Sequence, residues 1–139
     1  MNLRLAVLPL SMFSTLALAQ PIPPAKDMAF PGTMTLQVDA TDTDRAIFDV
    51  RQTIPVTSSG PMVLLFPEWI PGSHAARGEI EKLAGLVIKA GGKTIDWRRD
   101  ATNVYAFHLT VPSGVRQLDV SFKFLSATER DQGRVVVTP

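Results

Sequence analysis

The sequence predicts an all-β protein, an antiparallel β-sandwich of about seven or eight short strands. Three observations predict it. Apolar and polar residues alternate with period two in several segments. Turn-forming clusters separate those segments at short intervals. No segment carries a sustained helical period.

Along the chain, Gln20–Gly32 is rich in proline (Pro21, Pro23, Pro24, Pro31) and reads as an extended lead-in. Met34–Asp39 is a short strand, closed by the turn signal Thr41-Asp42-Thr43-Asp44. In Arg45–Val56, Ala46, Phe48, Val50, Ile54 and Val56 share one face, while Asp49, Arg51 and Thr53 share the other. Ser58-Ser59-Gly60 turns the chain into the apolar run Met62–Phe66. Ile80–Leu86 has room for a helical turn, which Gly85 weakens. Leu86–Ala90 and Thr94–Arg98 read as strands about a tight Gly91-Gly92 hairpin. Tyr105, Phe107, Leu109 and Val111 alternate again, which places His108 on the opposite, solvent-facing side. Beyond Pro112-Ser113-Gly114, Leu118, Val120, Phe122 and Phe124 point inward, with Asp119, Ser121 and Lys123 outward. Arg134–Pro139 reads as a further strand, and an apolar edge left bare there predicts that the chain is the front part of a longer protein.

The first residues have the pattern of an export signal. Arg4 supplies the positive charge, Leu5–Leu18 the apolar stretch and Ala17-Leu18-Ala19 the cleavage site. The expected organisation is therefore signal peptide 1–19, lead-in 20–32 and sandwich domain 33–139, in an exported protein, periplasmic or secreted. No membrane association is expected after cleavage. Removal of Arg4 balances basic and acidic side chains, so nothing in the charge argues for a nucleic-acid partner. The 139-residue chain has no cysteine, so neither a disulfide nor a thiolate enters the argument.

The chemical motifs are sparse. The chain has two histidines, His74 and His108, and no His-Glu-x-x-His, so a catalytic zinc site with three protein ligands is not expected here. Ser73 and His74 are adjacent, but no G-x-S-x-G elbow is present and no acid is marked out to orient the base. Gly91-Gly92-Lys93-Thr94 resembles the end of a P-loop, yet Val87 occupies the position of its first glycine. Asp42 and Asp44 fit a turn better than a calcium loop. Arg98 and Arg99, beside Asp96 and Asp100, are expected in surface ion pairs. No catalytic, metal or cofactor residue is assigned to this chain.

The most distinctive stretch is Phe66-Pro67-Glu68-Trp69-Ile70-Pro71-Gly72-Ser73-His74. Pro67 and Pro71 remove two backbone donors and end the strand near Phe66. Pro71-Gly72 is a type II turn centre. Trp69 is expected to cap one end of the core or to fill an interface. Trp69, Pro71, Gly72, Ser73, His74 and Arg77 are the candidate site: a rigid corner and a possible interdomain or substrate-cleft loop.

This stretch resembles the P-x-W-x-P-G-S signature of the N-terminal domain of the glycyl aminopeptidase family of zinc metallopeptidases. The resemblance continues through Gly78–Leu86, Asp96-Trp97-Arg98-Arg99-Asp100, Tyr105-Ala106-Phe107 and Leu118–Leu125. After Pro-Gly-Ser many members carry Tyr and then an Ile-Arg-Asp-like run, whereas this chain has His74-Ala75-Ala76-Arg77-Gly78. The resemblance implies a non-catalytic β-sandwich followed by a thermolysin-like domain, in which His-Glu-x-x-His and a further Glu hold zinc, and often by a PDZ-like domain. It implies that the catalytic domain of the same polypeptide is the partner, with peptide substrate reached through the whole enzyme. The alternative class is a free-standing exported binding or adhesion module, because sandwiches host many functions.

Overall fold

The computed structural model describes residues 21–24, 26–72 and 74–127. The expected signal peptide 1–19, Ser73 and the expected strand Arg134–Pro139 lie outside the described residues. Among the described residues are eight strands and one 3₁₀ turn: β1 (Thr35–Asp42), β2 (Ile47–Pro55), β3 (Gly60–Leu65), the 3₁₀ turn Ile80–Lys82, β4 (Leu83–Ala90), β5 (Lys93–Thr94), β6 (Trp97–Arg99), β7 (Ala106–Val111) and β8 (Gln117–Leu125).

They form two antiparallel sheets, one of five strands in the order β1-β2-β8-β4-β5 and one of three in the order β3-β7-β6. Cross-strand register fixes the inward face of the larger sheet. Val50, Gln52 and Ile54 stand opposite Phe122, Val120 and Leu118, and Ile88 stands opposite Val120. The smaller sheet answers with Leu109 and Val111, so that Ile54, Val56, Ile88, Ala90, Leu109, Val111, Leu118 and Val120 form one buried cluster. Trp97 closes its side, edge-to-face on Phe107 at 5.4 Å between ring centroids, with its Nε1 donating to the Leu86 carbonyl at 3.2 Å. The indole thus satisfies its polar atom while partly burying its ring.

Three local departures from the alternation pattern have physical causes. Ala46 has φ of 52°, so β2 begins at Ile47 rather than at Arg45. The helical potential of Ile80–Leu86 is spent in one 3₁₀ turn, and the chain enters β4 at Leu83 with a register shift between Ala84 and Val87. The single strand expected over Thr94–Arg98 is two: β5 pairs with β4, and after Ile95-Asp96 the chain joins the other sheet as β6 beside β7. The Gly91-Gly92 hairpin forms as expected, with both glycines at positive φ (57° and 80°), as a two-residue primed turn requires.

Candidate functional site

The candidate corner begins where β3 ends at Leu65, one residue after which the Phe66 N–H still donates to the Tyr105 carbonyl (2.8 Å). Pro67 has no N–H to continue the ladder, and the chain swings away from the sheet. Pro71-Gly72 forms the expected turn, with Gly72 at φ 84°. The loop is then drawn shut at its base: the Glu68 carbonyl accepts from both Arg77 N (3.0 Å) and Gly78 N (2.8 Å). The closure is tight. A side chain at Gly78 would overlap the Pro67 carbonyl oxygen and press on the Glu68 Cα and the Tyr105 ring. Tyr105 Oη donates to the Gly78 carbonyl at 3.1 Å and ties the loop base to the entry of β7.

A second turn underpins this one. Asp100 Oδ1 accepts from Thr102 N (2.8 Å), Thr102 Oγ1 (2.8 Å) and Asn103 N (2.9 Å), and Asn103 Oδ1 accepts from Tyr105 N (2.9 Å). Asp100 Oδ2 lies 2.7 Å from His108 Nε2, and both side chains are almost fully buried. The backbone donor of Thr102, then that of Asn103 and the His108 bond hold the Asp100 carboxyl well below the usual carboxylate range. An ionised carboxylate only accepts, so His108 Nε2 carries the proton of this bond. His108 Nδ1 is buried without a hydrogen-bond partner.

The expectation that His108 faces solvent is therefore overturned. It does lie opposite Phe107 and Leu109, but the turn at Asp100 sets a carboxylate against the imidazole, leaving it 5% exposed. Asp100 is consequently not the surface partner of an arginine, and Arg99 instead sits over the Phe107 ring, 5.2 Å from its centroid. Among the described residues no group of three or more His, Asp or Glu side chains is arranged to hold a metal.

Of the candidate residues, Trp69, Pro71, Gly72, His74 and Arg77 are all exposed, and Ser73 lies outside the described residues. Trp69 does not cap the core: it is 61% exposed, while the core's indole is Trp97. It is not isolated. Leu65, Ile70 and Val104 are also exposed, and all belong to the end of the smaller sheet where β3 leaves and β7 enters. Among the described residues the arrangement is an apolar, solvent-facing corner on a closed loop base, a surface suited to docking. Residue-by-residue reading passed over its supports, Gly78, Asp100 and Tyr105. The signal for one of them was present, since Asp100-Ala101-Thr102-Asn103 is an Asx-turn pattern.

Residues 35–139 match the family described as the Peptidase M61 N-terminal domain. The chain belongs to that family. As a Peptidase M61 N-terminal domain it is a non-catalytic, N-terminal part of a peptidase, in line with the resemblance carried by the Trp69 corner. Among solved structures it is similar to an aminopeptidase N family protein from Idiomarina loihiensis, with a TM-score of 0.55 and 20% identity over 68% of this chain. That likeness shows the shared fold alone, and the aligned region spans 15% of the length of that protein. No curated protein matches the chain.

Proposed function

We propose that this domain serves an exported zinc metallopeptidase that removes N-terminal residues from peptides, and that the Glu68–Gly78 corner docks on the peptidase domain of the same polypeptide. The observation that carries the reading is the exposure of Trp69, with Leu65, Ile70 and Val104, on a loop base locked by the Glu68 carbonyl and Tyr105. A rigid loop bearing an exposed indole loses little entropy on docking, and tryptophan is enriched among interface anchors. In this reading His74 and Arg77 lie at the polar rim, where they shape the approach to the substrate cleft. Zinc and the reacting groups belong to the downstream domain, and this chain supplies none of the ligands.

The test is the coding sequence beyond Pro139. The reading expects an open frame carrying His-Glu-x-x-His. A frame that continues without a metallopeptidase motif would overturn it, as would zinc-dependent aminopeptidase activity in purified residues 20–139.

A further inference from the structure

A sheet edge is a row of unpaired N–H and C=O groups, and this fold guards its edges unequally. β5 is two residues long and carries Lys93, and β6 is three residues long and carries Arg98 and Arg99. β3 opens on Gly60-Pro61, where proline offers no donor. β1, by contrast, is eight residues long and holds no proline, lysine or arginine. It is the terminal strand of the larger sheet, and among the described residues nothing pairs with its outer edge.

The same strand is bare on its apolar face. Leu36 and Val38 stand opposite Gln52 and Val50 of β2, on the face that continues through Val120 into the core. Leu36 is nevertheless 62% and Val38 54% exposed. Gln37 and Asp39 alternate with them on the solvent face, opposite Arg51 and Asp49. The register is unbroken from Thr35 to Asp39 and shifts only between Asp39 and Asp42. The straight, pairable part of the edge is therefore Thr35-Leu36-Gln37-Val38-Asp39.

This segment complements itself. Set antiparallel to a second copy about Gln37, each Leu36 falls opposite the other copy's Val38, giving two apolar pairs on the apolar face. Gln37 meets Gln37, whose amides both donate and accept. Each Asp39 meets a Thr35. Asp39 Oδ1 already accepts from Thr41 N (3.0 Å) and Thr41 Oγ1 (2.7 Å), and Oδ2 is the oxygen left for the Thr35 hydroxyl. The two Asp39 carboxylates stand four residues apart along the ladder, about 13 Å, so no like charges face each other. Centring the pair on Val38 instead brings those carboxylates closer and runs the shifted stretch after Asp39 into the ladder.

We infer that β1 is an interface between two copies of this chain, which pair antiparallel about Gln37 and join their larger sheets into one. The contact is isologous, so it closes both edges at once and does not propagate. A single short strand pair buries little surface, and the dimer is correspondingly weak, with a dissociation constant of roughly micromolar or above. The inference does not rest on the docking of the Trp69 corner, which leaves the other sheet.

Sedimentation velocity on the purified chain from about 1 μM to about 1 mM tests it, with the mass expected to rise from monomer to dimer over that range. Val38→Lys sets a charge against Leu36 of the second copy and should raise the dissociation constant roughly tenfold or more. Its melting temperature should stay that of the parent, because Val38 lies outside the core cluster. The chain has no cysteine, so single cysteines report the register. Under mild oxidation Gln37→Cys should form an intermolecular disulfide, while Asp39→Cys should not, its sulfurs being too far apart. A chain that stays monomeric throughout would overturn the inference. So would a dimer indifferent to Val38→Lys, cross-linking at position 39 as fast as at 37, or β1 amides protected only when another domain or an extended peptide is present.

Discussion

Replacing Gly78 with alanine is the sharpest probe of the corner. The added methyl has no space: it meets the Pro67 carbonyl oxygen and the Glu68 Cα, which are backbone atoms and cannot rotate away, and lies 3.0 Å from Tyr105 Cε1. The loop base must therefore open. Opening loses the bonds from Arg77 N and Gly78 N to the Glu68 carbonyl (3.0 and 2.8 Å) and the Tyr105 Oη bond to Gly78 (3.1 Å). At about 1 kcal/mol net for each bond, the cost is about 2–3 kcal/mol. In a domain of this size that lowers the melting temperature by roughly 10 °C or more. Gly72→Ala is the control: a methyl there meets nothing within 4 Å, and only its φ of 84° opposes it, at about 1 kcal/mol. Thermal denaturation of the two variants beside the parent decides the matter. A Gly78→Ala protein that melts with the parent, or above Gly72→Ala, would refute the closed-loop reasoning.

Other expectations concern the core, the buried pair and the corner surface. Ile88→Ala empties a fully buried position and should cost about 2–5 kcal/mol, seen as a lower urea midpoint with an unchanged slope. The folded-state pKa of Asp100 is depressed, so the unfolded chain binds the extra proton as pH falls below about 4. The stability Asp100 contributes is thus fully present above its unfolded pKa and is lost as pH falls toward its folded one, and Asp100→Asn should flatten the acid limb of a stability–pH curve. Trp69→Ala in residues 20–139 alone should leave the unfolding free energy within about 0.5 kcal/mol of the parent, measured by urea denaturation, because the indole is mostly exposed.

The sandwich was legible because alternation is a local property. Ile54, Val56, Leu118 and Val120 declare their face by spacing alone, and the structure places them together. The Gly91-Gly92 and Pro71-Gly72 turns were legible for the same reason, since the conformations they need favour particular residues. The change of sheet between β5 and β6 was not, because Ile95-Asp96 carries no turn signal and the switch is set by tertiary pairing. His108 shows the limit most clearly. Its position on the outward face was readable, but its burial depends on Asp100, eight residues earlier, folding against it. Of the two roles expected for the Trp69 indole, the cap on the core is not seen among the described residues, where it is mostly exposed.

The central claim is that the exposed indole of Trp69 anchors this domain to a peptidase domain in the same polypeptide. The most direct measurement is hydrogen exchange across the Glu68–Gly78 corner and peptide hydrolysis by the full-length polypeptide, with and without Trp69→Ala. The account predicts that the corner is more protected in the full-length protein than in residues 20–139, that the substitution removes this extra protection at a cost of about 2 kcal/mol or more in docking, and that hydrolysis falls with it. Equal exchange at the corner in both contexts, together with unchanged kinetics in the variant, would contradict it.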